Sequence, residues 1–527
     1  MKEEVDLIIR NAKIYTVDNN FSIINEMAIH NGKIVAVGTT NQVLDDYTSA
    51  NIINAKAGCI YPGFIDAHCH FLGYGLSLQQ VNLSGTNSFE EVIDKVVAFS
   101  KENKSDWITG RGWDQNDWKI KNFPAKEKLD SLFPNRPVFI KRIDGHAALV
   151  NKKALELAKI TYDTKVKGGI IEKANGSLTG ILIDNAIDLI QAVIPSPTEA
   201  QYKTALINAD QDCLAVGLTT VDDAGLDKNM VELINHMHQE NTLKMKVYIM
   251  LNPNQENLSY FSEHGHLITE KLTVRSFKFY SDGALGSRGA CLLSPYSDDP
   301  DHTGLLVNEP LYFEEMADKI YNMGFQMNTH CIGDSGNQMI LNIYGKVLKG
   351  SNDLRWRIEH AQVVHEADFE KFGKYNIIPS IQATHATSDM YWAKDRLGSN
   401  RIKGAYAYKQ LLKQNGMIAG GSDFPIEGIN PLLGFYAAVV RKDLQGYPKN
   451  GFQMENAISR KEALRSMTIW GAMANFEENT KGSLEVGKSA DFVILNKDIM
   501  EEDLSDISSF KVLNTFINGE QVYKIRR

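Results

Sequence analysis

Of the 13 histidines in this chain of 527 residues, one pair stands at a spacing and in a setting that can do chemistry, at the end of an apolar run. His68 and His70 flank Cys69 in "YPGFIDAHCHF", directly after an apolar run and a Pro-Gly. Residues i and i+2 of an extended segment share a side, so the two imidazoles can grip one ion as neighbouring ligands. They can equally be two solvated rings at a strand end. Imidazole suits Zn, Fe, Mn, Co or Ni. Cys69 would point the other way, as a buried thiol. Four more residues able to ligate follow: Lys278 in "VRSFKFY", His330 closing "FQMNTH", His360 closing "RWRIEH" and Asp423 closing "MIAGGSD". Taken singly, His330 and His360 each read as hydrogen-bonded loop histidines. Taken together, the six residues form a set able to hold a divalent metal.

What must bring them together is a run of short elements. Eight β-rich stretches alternate with helical-looking ones: 60–66, and those beginning at 217, 245, 274, 325, 355, 377 and 417. That alternation predicts a parallel (β/α)8 barrel, an α/β TIM barrel with helices outside and its active site where the strands end. Asp66 with His68 and His70, and then Lys278, His330, His360 and Asp423, all fall at those ends. The stretch from 67 to 216 is far longer than the dozen or so residues a crossover needs, so an inserted subdomain, 71–210, is expected after the first strand. Residues 1–56 alternate apolar and polar around Asn-Gly turns, and so do residues 480–527. The two termini are therefore expected to pair in a composite β-sandwich beside a barrel spanning 57–479.

The whole chain sets limits on partners. A net charge of −9 spread along the sequence argues against nucleic-acid or anionic-membrane binding. No run approaches the roughly 20 apolar residues of a membrane-spanning helix, and the N-terminus lacks the apolar stretch of a signal peptide. Five cysteines (59, 69, 213, 291, 331) without a CxxC spacing fit a reducing compartment. A cytoplasmic protein acting on a small molecule is expected, with a homodimer as the default assembly.

Several longer motifs carry a resemblance. The stretches "PGFIDAHCH", "GRGWDQNDW", "RIDGHAALVNKKAL", "GSLTGIL", "GLTTVDDAG", "FKFYSDGALGSRGA", "NTHCIGD", "RIEHAQ", "GGSDFP" and "GSLEVGKSADFVIL" occur in an order similar to that of the amidohydrolase superfamily. Within it, the chain resembles the amidohydrolase-3 or YtcJ-like metal-dependent hydrolases, the group that includes N-substituted formamide deformylase. The resemblance implies one or two divalent metals, zinc first among them. His68 and His70 would hold the more buried ion, His330 and His360 the second, and Asp423 would touch the first ion and the attacking water. Lys278 matches the position of a carbamylated (N6-carboxylated) bridging lysine; a plain lysine beside a single ion is the alternative. The implied reaction is hydrolysis of a carbon–nitrogen bond other than a peptide bond, with Asp423 moving the proton as general base and then acid.

Other residues are assigned to the substrate. Arg142, Asp144 and His146 lie in the insertion, and His146 resembles a position that would donate to the carbonyl oxygen; loop scaffolding is the alternative. Trp113, Tyr391 and Trp392 read as pocket aromatics or as core. Arg288 and His385 can bind a polar or anionic group. Asp222 and Asp223 stand where relatives often carry a histidine, which leaves their role open. Deamination or decarboxylation on the same metal site is the alternative reaction. A non-catalytic assembly protein on the same fold is the alternative of another class, disfavoured because all six ligand-type residues are present.

Overall fold

The structure is a computed structural model that describes residues 2–526 apart from 40, 57, 116, 117, 144, 146, 167 and 168, together with all but the side chain of residue 184. Its largest sheet contains eight parallel strands in chain order: β1 (Phe64–Cys69), β2 (Leu218–Leu226), β3 (Lys246–Leu251), β4 (Leu272–Tyr280), β5 (Gln326–Cys331), β6 (Arg357–His360), β7 (Ile378–Gln382) and β8 (Ala419–Gly421). A ninth short strand, Leu267–Ile268, pairs antiparallel with β4. The sheet is a nearly closed (β/α)8 barrel. The expected strands all occur, with one correction: the apolar run 60–66 belongs to two sheets. Cys59–Pro62 pairs with Phe492–Leu495 in a terminal sheet, and β1 begins after Gly63. A Cβ on Gly63 would lie 2.2 Å from Thr219 Oγ1, so the crossing from one sheet to the next requires glycine.

The first and last strands of the barrel meet through a seam of hydrogen bonds. Asp423 N–H donates to His68 O at 2.8 Å and His70 N–H to Phe424 O at 2.8 Å. Asp66 accepts from Ser422 N–H at 3.0 Å through Oδ1 and from Ser422 Oγ–H at 2.6 Å through Oδ2. A Cβ on Gly421 would meet His68 N at 2.5 Å, so this approach too depends on glycine. Barrel helices start and stop on local signals. Pro310 opens Pro310–Met323 and left-handed Gly324 (φ 71°) ends it, while Ser459 and Glu462 form a capping box on Arg460–Ser466.

Both termini build two further sheets. The order in one is Lys33–Gly38, Glu26–His30, Leu7–Arg10, Ile52–Asn54; in the other it is Glu520–Lys524, Val512–Ile517, Phe492–Leu495, Cys59–Pro62, Lys13–Tyr15, Ile23–Ile24. Their inner faces share a core that includes Ile9, Met27, Ile60, Phe492 and Phe516, the composite β-sandwich expected from the two ends. Asp498 stitches the ends together, accepting from Lys13 Nζ at 2.7 Å, Tyr15 OH at 2.8 Å and Tyr61 OH at 2.7 Å. Residues Leu72–Asn208 form a separate compact unit around a six-stranded mixed sheet, inserted after the first barrel strand.

Two contacts fix the base of β3. Lys246 Nζ pairs with Asp491 at 2.6 Å, both side chains buried (1% and 5% exposed), and thereby ties the barrel to the sandwich. Removing one member of a buried pair strands the other charge. Lys246→Met is expected to destabilise the chain by about 3–5 kcal/mol, seen as a fall in melting temperature, whereas Lys246→Met with Asp491→Leu should lose less. His238, on helix Lys228–Gln239, donates Nε2–H to Met245 O at 2.9 Å, and burial pushes its imidazole down to about 4. A depressed histidine adds stability above its unfolded value of about 6.5 that is lost as pH falls toward its folded value. Melting temperature should therefore fall between pH 6.5 and 4, and His238→Gln should flatten that slope.

Candidate metal centre

The seam places the candidate ligands. His68 is the penultimate residue of β1 and His70 follows the strand, while Asp423 lies two residues beyond β8; backbone bonds across the seam hold all three in register. His70 Nε2 is 3.3 Å from Asp423 Oδ1, and His68 Nε2 is 3.6 Å from the same oxygen. His360 at the end of β6 and Asp423 both have left-handed backbones, φ 70° and 62°. Histidine and aspartate are among the residue types that tolerate this region best, and the conformation turns their side chains over the strand ends. His330 leads from β5 to His360, with ring centroids 4.6 Å apart; His360 and His68 are 4.8 Å apart. Lys278 Nζ, fully buried on β4, donates to His68 Nε2 at 3.0 Å.

Three of these histidines are aimed from behind. The Nδ1–H of His68 donates to Glu359 Oε2 at 2.5 Å, that of His70 to Ala224 O at 3.1 Å, and that of His360 to Gln382 Oε1 at 2.6 Å. Each anchor leaves Nε2 as the lone-pair nitrogen facing the centre, the arrangement metal-binding histidines use. Potential ligand atoms of His68, His360 and Asp423 all lie within 4.8 Å of one another. Nε2 of His330, Nε2 of His385 and Oδ1 of Asp423 are buried with no hydrogen-bond partner among the described residues. Buried polar atoms are rarely left so, and donor lone pairs converging on one point fit a cation.

Electrostatics favour the ligating forms. Burial, with Lys278 adding to it, pushes His68 down and His330 down to about 3, and burial with His330 lowers His360 strongly, so the three rings are neutral. Burial pulls the Lys278 amine down as well. Burial opposes ionisation of Asp423, but the surrounding rings of His70, His360, His68 and His385 outweigh it and hold the carboxyl well below its usual range. Glu359 behaves likewise: burial raises it, and His68 followed by Arg357 brings it to about 2.

The remaining residues singled out by sequence fall in varied places. His385, just after β7, joins the cluster, its ring stacked 6.0 Å from His360 and its Nε2 3.8 Å from Asp423 Oδ2. Trp113 is fully buried in the inserted unit, packs on Trp118 and Phe123 and donates Nε1–H to Ile140 O, the environment of a core residue. Arg142 in the same unit pairs with Asp114 at 2.7 Å and donates to Gln115. Asp144 and His146 lie outside the described residues. Arg288 pairs with Asp298, which also accepts from Arg396, so it braces the loop after β4. Tyr391 stacks on Tyr447 with more than half its surface exposed, and the Trp392 ring lies against Gly286. Cys69 is buried with Sγ toward Asp222 O. Asp222 is fully buried and accepts from Arg357 Nη1 at 2.9 Å, while Asp223 accepts from Phe71 N–H at 3.0 Å. Glu359 and Gln382 are the members that sequence reading misses. The signal for Glu359 was its place beside His360 in "RIEH", where strand alternation turns it the opposite way.

Comparison with known proteins agrees with this geometry. Residues 51–523 match the amidohydrolase family. The chain is 33% identical to Protein LONG AFTER FAR-RED 3 of Arabidopsis thaliana, covering 98% of this chain and 91% of that one. It is 31% identical to the putative amidohydrolase YtcJ of Bacillus subtilis (97% and 98% covered) and 24% identical to N-substituted formamide deformylase of Arthrobacter pascens (99% and 99%). Among solved structures, an uncharacterized metal-dependent hydrolase from Pyrococcus furiosus superposes with a TM-score of 0.80 at 27% identity, covering 94% of this chain and 100% of that one. With its strand-end histidines and Asp423 gathered over a parallel barrel, the chain belongs to the amidohydrolase family and is a hydrolase.

Proposed function

We propose that the chain hydrolyses a carbon–nitrogen bond other than a peptide bond, with the carbonyl of an amide or an N-substituted formamide as the group attacked. The observation that carries this reading is the convergence of His68, His360 and Asp423 within 4.8 Å, with unpartnered donor atoms of His330 and His385 beside them. In this reading His68, His70, His330, His360 and Asp423 hold one or two divalent ions, zinc first among them. When bound, such an ion polarises a carbonyl oxygen and lowers the pKa of a coordinated water to about 7. Lys278 would supply an anionic ligand as a carbamate, formed when its neutral amine adds carbon dioxide and releases a proton, and burial moves Lys278 toward the neutral form.

The protein's own residues supply positioning and proton traffic. Asp423, anionic and held by His70 and the seam, takes a proton from the attacking water and returns it to the leaving nitrogen, without which amide cleavage has a poor leaving group. His385, whose Nε2 lies 3.8 Å from Asp423 Oδ2, would contact the carbonyl oxygen as it gains charge. The full-length similarity to a formamide deformylase supports the choice of bond.

The test is elemental analysis of the purified chain followed by assay against an amide and formamide library. One or two equivalents of divalent metal are expected, with turnover abolished by chelation and restored by metal plus bicarbonate. Asp423→Asn should lower kcat by about 10²–10⁴-fold, and Lys278→Ala should reduce the metal content. Less than one equivalent after reconstitution would overturn the metal reading. Ammonia or carbon dioxide as the released product, in place of an amine and an acid, would move the reaction to deamination or decarboxylation.

A further inference from the structure

We propose that Glu359 is the positioning residue that sets how tightly the centre binds metal. We further propose that the Asp222–Arg357 ion pair beneath it keeps its carboxylate committed to His68. This rests on the metal-centre reading above. The three anchored histidines are not anchored alike: His70 has a backbone carbonyl and His360 a neutral amide, while His68 alone has a carboxylate, at 2.5 Å, with both side chains fully buried. A carboxylate behind a ligand histidine fixes the tautomer and makes the other nitrogen a stronger donor, and losing it typically costs about 10–100-fold in metal affinity.

The commitment of Glu359 to His68 is contested from below. Arg357 lies two residues earlier on β6 and therefore on the same face. Its guanidinium is occupied: Nη1 donates to Asp222 Oδ2 at 2.9 Å and to Ala67 O at 3.1 Å, and Nη2 donates to Asn475 Oδ1. Asn475 Nδ2 in turn donates to Asp222 Oδ1 at 2.6 Å, so the floor of the barrel is a closed hydrogen-bonded triad. One complementary pair of atoms is left over. Arg357 Nε and Glu359 Oε1 are both buried without a hydrogen-bond partner among the described residues. The arginine is therefore a latent competitor for Glu359, and Asp222 is what holds it down. This gives Asp222 a role that touches no ligand and no substrate.

The experiment measures the metal dissociation constant of the full chain by competition with a chromophoric chelator. The visible spectrum of the cobalt-substituted protein and the melting temperature of the metal-free protein are recorded alongside. Glu359→Gln keeps an acceptor but removes the charge, and it should weaken binding about 10–100-fold and shift the cobalt bands; Glu359→Leu should weaken it more. Asp222→Asn should also weaken binding, because the freed guanidinium draws Glu359 from His68. Asp222→Asn with Arg357→Met should restore affinity, since it removes the competitor. Unchanged affinity and cobalt spectrum in Glu359→Gln would overturn the proposal and leave the metal reading intact. So would losses that merely track the metal-free melting temperature, or a double variant no better than Asp222→Asn. Failure of the unmutated chain to bind metal would overturn the reading itself.

Discussion

Everything at the candidate centre depends on how the barrel closes. β1 and β8 are 350 residues apart in the chain, from Cys69 to Ala419, yet the seam between them sets the distances among His68, His70 and Asp423. Backbone bonds from Asp423 N–H to His68 O and from His70 N–H to Phe424 O make this a matter of main-chain geometry, which side-chain motion cannot easily relax. Asp66 reinforces the same joint with both carboxylate oxygens on Ser422. Gly421 permits the approach, since any Cβ there would strike His68 N. Ligands on strands that only partly closed would be correctly chosen residues held too loosely, and a site off by about 1 Å loses most of its function.

The barrel carries this site at a cost in its interior. Parallel barrels are usually filled by layers of branched apolar side chains. Here Asp222, Tyr248, Gln326, Asn328, Arg357 and Glu359 are buried on the barrel strands, with Arg357 and Glu359 reaching across it to β2 and β1. Burying charges is unfavourable unless each finds a partner of good geometry. The floor solves this locally: Arg357, Asp222 and Asn475 satisfy one another, and Tyr248 OH donates to Gln326 Oε1 at 3.0 Å. Stability elsewhere comes from apolar packing, in the sandwich core shared by both termini and in the inserted unit's own core.

How much of this was readable in sequence follows from what a pattern can carry. The barrel, the insertion and the composite sandwich were legible because period-2 runs, their number and the long interval before the second strand are local signals. His68, His330, His360 and Asp423 stood out because each lies at the end of a β-rich run, and a barrel gathers such ends. The split of 60–66 was not legible, since a continuous apolar run does not reveal that it changes sheet at Pro62 and Gly63. Glu359 was hidden for a related reason. In "RWRIEH" the alternate charged residues look like a solvent face, but in a barrel that face is the interior, so Arg357 and Glu359 are fully buried. Gln382 and His385, around the turn out of β7, follow no period at all.

The distribution of unmet hydrogen bonds shows where a ligand is needed. Among the described residues, Asn328 and His330 on β5, Glu359 on β6, Ser380 and Gln382 on β7, then Thr384, His385 and Asp423 all keep buried polar atoms without a partner. They occupy three successive strands, β5 to β7, and the segments that follow β7 and β8. A fold that ties most of its floor into a closed triad could have tied its rim in the same way, and each buried atom left unpaired costs about 1–3 kcal/mol. Such a cluster persists only if something else completes the bonds. Nitrogen lone pairs and carboxylate oxygens at the centre suit a cation, while the amides and hydroxyls behind them suit water. Unpaired atoms also occur lower on the strands, at Thr220, Arg275 and Arg357, but the imidazole nitrogens of His330 and His385 and the carboxylate oxygen of Asp423 among them lie at the strand ends, where a cation would use them.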